Sequence, residues 1–346
     1  MELAIGNEPR DGYYAYELVA AANKLVTEVR PVRPGQQVLI TVDSAGDDRV
    51  ARATAGAVLA VGGVPTLISY PTLPEPMCEP PRPLAQAALG ADIWFDFAVA
   101  YQLYSPAFHA ALAKGCIYIC LTGMDVDMMV RTIGRVPSAP LEAMAERLYR
   151  LSQEAKTIRV TSPAGTDLLM TVDPKGDPYW DKRPENGYAQ MLGGQSWPQV
   201  FRESFQGTLV YDGAIWPPAE IGILRSSVSM TIKDGYVIAI EGGVEARTYD
   251  RWLRGFPESA AMLMDHACYG FNPGVTRTSG RILEDERVFG CMQFGIGATE
   301  LGSTIHSDGV VLNPSIWFDD VQIEDCGRYL HPELLQFCRE LGVKGY

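Results

Sequence analysis

Over the first 150 positions, apolar residues alternate between short unbroken runs and runs at helical spacing. Residues 37–43 (QVLITVD) form the kind of brief apolar run that makes a buried strand. Residues 47–61 follow, alanine-rich and apolar at helical spacing, and Gly62-Gly63 ends them. Residues 65–70 read as the next strand, 83–89 as helix, 92–98 as strand, 105–114 as helix stopped by Gly115, and 116–121 as strand. Strand and helix in this rhythm predict a parallel sheet covered by helices. Residues 139–155 form an amphipathic helix with Ser138 as N-cap.

Beyond that helix the period shortens towards two. Residues 157–172 read as two strands around Pro163-Ala164-Gly165, and 207–215, 227–232 and 236–241 as further strands. The last two are joined at Lys233-Asp234-Gly235, where Asp-Gly favours a hairpin turn. Residues 247–268 carry a helical centre, 309–312 and 315–323 return to strand, and 332–341 close as helix. The expected fold class is α/β: an N-terminal parallel-sheet α/β domain over residues 1–150, then a β-rich α+β domain over 151–346.

Composition narrows the function. A chain of 346 residues suffices for two domains, and 47% hydrophobic with 21% charged residues is ordinary for a soluble protein. A net charge of −13 without a lysine or arginine cluster argues against nucleic acid or an anionic membrane as partner. The start shows no signal-peptide pattern, and no apolar run reaches the roughly 18 residues of a membrane span. Seven scattered cysteines without a C-x-x-C pair point to reduced, mostly buried thiols in a cytoplasmic protein. The turn after the first strand, Asp43-Ser44-Ala45-Gly46-Asp47, lacks the glycines of a dinucleotide site.

Chemistry concentrates in the four histidines. His109 lies within a helical pattern and His331 precedes Pro332 at the last helix, where a cap or surface role is expected. His306-Ser307-Asp308 differs, because in an extended segment residues two apart face the same way. His266, beside the Gly-rich stretch of residues 270–274, would complete two histidines and one carboxylate, the ligand group of non-heme Fe(II) oxygenases.

The order of motifs after position 265 resembles the aminopeptidase T-like metallopeptidases. The matching segments are His266-Ala267-Cys268-Tyr269-Gly270-Phe271-Asn272-Pro273, Asp285-Glu286-Arg287, Gly290-Cys291-Met292-Gln293 and His306-Ser307-Asp308. Those peptidases hold two metals. Here glutamate positions of that pattern fall on Gln199 and His266, and a histidine position falls on Gln293, while His306 and Asp308 are kept. Two dications about 3.5 to 4 Å apart need several negative ligands, so this set suits one ion. The pattern is most similar to the 2,5-dihydroxypyridine 5,6-dioxygenase branch of the same superfamily. That resemblance implies one Fe(II) per chain on His266, His306 and Asp308, with Gln293 near a further, weak ligand position. It also implies a hydroxylated aromatic substrate, O2 and a homo-oligomer. A catalytic histidine of the branch falls on Tyr104, next to Ser105-Pro106.

A substrate proton then needs a base, for which Tyr104, His109 and Glu300 are the candidates. Asp265 or Glu300 would orient the histidines, and Trp317 and Phe271 read as core sooner than as clamps on a ring. The alternative is a hydrolase in which the same ligands hold Zn(II) and activate water for amide cleavage. A third reading is a metal-free binding protein that keeps the triplet as a relic.

Overall fold

The computed structural model describes residues 14–176 and 189–346. The chain divides into two compact units, Met1–Arg135 with Gly187–Met191, and Val136–Asn186 with Leu192–Tyr346. The division falls ahead of the long helix Ser138–Glu154. The cause is the helix's apolar face, since Leu141, Met144, Leu148 and Leu151 are buried in the core of the β-rich unit. Ser138 is its first helical residue and Pro137 takes the cap position.

In the first unit, β1 (Gln37–Asp43), β2 (Val64–Tyr70), β3 (Ile93–Asp96) and β4 (Ile117–Cys120) form a parallel sheet in the order β2-β1-β3-β4. Helices Asp48–Ala60, Arg82–Ala88 and Pro106–Leu112 connect them, as the alternating pattern requires. Ser105 caps the last of these by accepting from Phe108 N. The carboxyl end of β3 is fixed by buried Asp96. Its carboxylate accepts from Thr41 Oγ1 (2.8 Å), Tyr118 Oη (2.6 Å), Gln102 N (2.9 Å) and Ala98 N (3.1 Å). Asp43 accepts from Ala100 N at 3.0 Å, so the loop after β3 is tied to two strand ends.

The strands of the second unit are β5 (Thr157–Thr161), β6 (Asp167–Thr171), β7 (Gln195–Ser196), β8 (Gln206–Tyr211), β9 (Ala214–Trp216), β10 (Gly222–Ile223), β11 (Val228–Lys233), β12 (Tyr236–Gly242), β13 (Met264–Gly270), β14 (Cys291–Ile296), β15 (Ser307–Val311), β16 (Ser315–Phe318), β17 (Val321–Asp325) and β18 (Arg328–Tyr329). Among the described residues they make two sheets, β12-β11-β8-β6-β5-β16-β17-β18 and β10-β9-β15-β14-β13-β7. Buried side chains from both sheets, such as Leu209, Tyr211, Met230, Ala267, Phe294 and Ile316, form one core. The Asp234-Gly235 turn between β11 and β12 is present, with positive φ at both residues.

Two sequence expectations change here. Residues 207–215 are two strands, not one, because the chain turns at Asp212-Gly213 and crosses from one sheet to the other, with Gly213 N bonded to Val310 O at 3.0 Å. The helix expected within 247–268 spans Val244–Leu253, and Gly255 and Pro257 follow it. His266 therefore lies on β13, where hydrogen-bonded partners on both sides outweigh local propensity. His331 occupies the cap position of the closing helix Pro332–Glu340 without a side-chain cap bond. Five of the seven cysteines are buried. Among the described residues, no helix is long and apolar enough to cross a membrane.

Because Asp96 gathers four donors in a site without water access, Asp96→Ala should lower the unfolding free energy by about 2–4 kcal/mol, read from urea denaturation.

Candidate functional site

Strands β13, β14 and β15 lie side by side, and their register lines up His266 with Gly295 and Gly295 with Asp308. His306 immediately precedes β15. Alternation along the extended chain then aims it to the same face as Asp308, with Nε2 3.2 Å from Asp308 Oδ1. Gly295 sits under both imidazoles. A Cβ there would lie 2.5 Å from His266 Cε1 and 2.8 Å from His306 Cε1. The missing side chain is what lets the two rings stack, centroids 5.2 Å apart and planes at 21°. A glycine inside a strand often marks such a close approach.

Asp265 and His266 are neighbours, and in a regular strand they would face opposite ways. The register shifts between Met264 and His266, a bulge that lets both reach the cluster. Asp265 Oδ2 stands 3.1 Å from His266 Nδ1 and 3.7 Å from His306 Nδ1. The carbonyl oxygen of Gly297 is 3.1 Å from His306 Nδ1. Carboxylate and carbonyl oxygens only accept, so both Nδ1 atoms carry hydrogen. The Nε2 edges then face Asp308 Oδ1, at 3.5 Å from His266 and 3.2 Å from His306. Gln293, two residues before Gly295 on β14, places its amide nitrogen 3.0 Å from His266 Nε2 and donates to Asp308 Oδ1.

The charges explain the protonation. Burial alone would raise Asp265, but the hydrogen bond from His266 and the positive charges of His266, His306 and Arg202 outweigh it and hold its carboxyl far below the ordinary range. Burial would lower His306, but Asp308, then Asp265 and the Gly297 carbonyl, push it up to about 10. Beside the cluster, Glu286 accepts from Gln195 Nε2 at 2.7 Å and pairs with buried Arg287 at 3.1 Å. Burial and then the charge of Asp308 raise its pKa. From below, Tyr249 donates to Ser307 Oγ (3.0 Å), Ser307 donates to Pro217 O (2.6 Å), and Tyr211 donates to Phe294 O (2.8 Å). These bonds fix the strands that carry Asp308 and Gln293.

Two imidazole lone pairs and a carboxylate converging on one place are donors that divalent transition metals take. By distance alone, ligand atoms of Asp265, His266 and His306 also form a compact group, all within 4.8 Å. The Nδ1 edges of that group are occupied by hydrogen bonds, the Nε2 edges face Asp308, and Asp265 stands behind the rings.

His266, His306, Asp308 and Gln293 are thus brought together. Glu300 joins them only through Arg202, to which its exposed carboxylate is paired at 3.0 Å. Tyr104 and His109 belong to the first unit, both exposed. Tyr104 has φ +65, and His109 packs edge-on against Phe108 at 5.1 Å. Gln199 faces the turn at residues 173–176, whereas Gln195 borders the site through Glu286. Phe271 is core, and half-buried Trp317 lies under Arg159. Gly295, Arg202 and Gln195 carried no sequence signal that named them.

The sequence profile of the family NicX: 2,5-dihydroxypyridine 5,6-dioxygenase matches residues 18–331. The chain belongs to this family. Within the dioxygenase family it is 27% identical over 271 residues to the 2,5-dihydroxypyridine 5,6-dioxygenase of Pseudomonas putida KT2440, covering 72% of this chain and 74% of that one. The fold is similar to the solved structure of 2,5-dihydroxypyridine dioxygenase from the same organism, with a TM-score of 0.73, 20% identity, and 91% and 98% of the two chains covered. It is also similar to wild-type AmpT from Thermus thermophilus, with a TM-score of 0.64, 14% identity, and 92% and 100% covered. The family shown is the branch to which the motif order pointed.

Because His306 is raised from 6.5 to about 10, its proton stabilises the ion-free fold fully below pH 6.5, and that stability is lost as pH rises through about 10. Urea midpoints of metal-stripped protein should fall across this window, and His306→Asn should flatten the fall. A flat wild-type profile would contradict the assigned protonation.

Proposed function

We propose that the chain is a ring-cleaving dioxygenase with one Fe(II), acting on a hydroxylated, nitrogen-containing aromatic such as a dihydroxypyridine. Membership of the family supports the reaction class. The observation that carries the metal reading is the convergence of His266 Nε2 and His306 Nε2 on Asp308 Oδ1, with a neutral amide, Gln293, beside them. That set has the charge and donors for a single ion, not for a pair. A ferrous ion held by these residues would supply a positive charge beside which an aromatic hydroxyl and O2 could be brought into contact.

The protein residues have separate tasks. His266, His306 and Asp308 hold the ion. Asp265 and the Gly297 carbonyl keep the Nδ1 hydrogens in place, which leaves Nε2 free as donor. His306 gives up its Nε2 proton when a cation takes its place. Gln293 Nε2 offers a hydrogen-bond donor at the ligand edge. Tyr104 and His109 are the acid–base candidates, whereas Glu300 is committed to Arg202. Seven scattered cysteines without a C-x-x-C pair suit a reducing cytoplasm, where we place the protein as a homo-oligomer.

Protein purified without oxygen should contain one iron per chain and consume O2 when given dihydroxypyridines. Zinc, amide cleavage and no O2 uptake would instead establish the hydrolase. His306→Ala should abolish metal binding while the chain stays folded. Gly295→Ala should reduce metal affinity at least tenfold by driving the imidazoles apart, as metal titration would show.

A further inference from the structure

Arg202 lies outside every motif recognised in the sequence, yet its side chain reaches the back of the site. It sits on the single turn Arg202–Ser204 that precedes β8. Its backbone is clamped by the β11–β12 hairpin tip, because Gly235, at φ +77, would place a Cβ 2.3 Å from Arg202 O. Its side chain makes three contacts. Nε donates to the backbone oxygen of Asp265 at 3.1 Å, and Nη2 lies 3.0 Å from Asp265 Oδ1 and 3.0 Å from Glu300 Oε2.

The two oxygens of Asp265 are therefore divided between tasks. Oδ1 is held by Arg202, and Oδ2 faces Nδ1 of both imidazoles. Asp265 is on a bulge, where the regular ladder is interrupted and does less to fix the residue. The guanidinium bonds both the backbone and the side chain of Asp265, so it supplies the missing constraint. An arginine fork suits this because its donors are planar and pre-organised. Its third contact ties in the turn Thr299–Leu301 of the β14–β15 connection, which leads into His306.

We propose that Arg202 is a positioning residue: through Asp265 it sets the orientation of both His266 and His306, and so the affinity of the site for its metal. This rests on the single-metal reading given above. Arg202 lies behind Asp265, and it acts on the two imidazoles through that carboxylate.

The test uses Co(II), titrated into the metal-stripped full chain and followed by its visible absorption. Arg202→Met should weaken Co(II) binding by about 10- to 100-fold and alter the absorption bands, and Arg202→Lys should recover part of the loss. In an Asp265→Asn background, Arg202→Met should have little further effect, since the two act in series. The proposal is overturned if Arg202→Met binds Co(II) with wild-type affinity and spectrum, or if the two losses simply add. A lowered urea midpoint with an unchanged spectrum would also overturn it, by showing a structural role alone. If the wild type itself binds no Co(II), the single-metal reading fails and takes this inference with it, a result distinct from the others.

Discussion

Two imidazoles stacked over a glycine, with a carboxylate at each edge, set the terms for the rest of the β-rich unit. The stack requires His266 and Asp308 to flank the same residue on the strand between them, and that residue to lack a Cβ. A register slip of one position would turn His266 or Asp308 to the opposite face. The surrounding core holds the register. Tyr211 bonds the Phe294 carbonyl, Tyr249 bonds Ser307, and the corner at Asp212-Gly213 lets β8 and β9 belong to different sheets that share one core.

Electrostatics explains why so many charged groups are tolerated in one place. Asp265, Asp308 and Glu286 gather near His266 and His306, and Arg202 and Arg287 stand at the periphery. Each carboxylate has a counter-charge or donor within hydrogen-bonding reach, so none bears its desolvation cost alone. With no ion bound, the proton on His306 supplies part of the positive charge that the cluster demands.

Much of this was legible in the sequence, for definable reasons. The parallel sheet was readable because QVLITVD and its successors are short apolar runs separated by helical periods. His306 and Asp308 were readable because a two-residue spacing in an extended segment fixes a common face. His266 needed the resemblance, since its local sequence reads partly as helix and only pairing with β7 and β14 makes it strand. The bulge at Asp265 could not be read, because it is a mismatch between two strands and exists in neither alone. Arg202 and Gln195 were hidden for the same reason: their partners lie 63 and 91 residues away. The helical period of residues 139–155 reveals an apolar face but not the surface that face will cover.

A glycine beneath the cluster also bears on how such a protein can be altered. Positions 266, 293 and 308 lie on three adjacent strands and carry side chains that meet at the cluster. Position 295 carries none, because any side chain there would occupy the space between the donors. Redesign of the centre therefore has three adjustable sites around one invariable gap, and a library that varies all four would spend much of its diversity on chains whose imidazoles never meet.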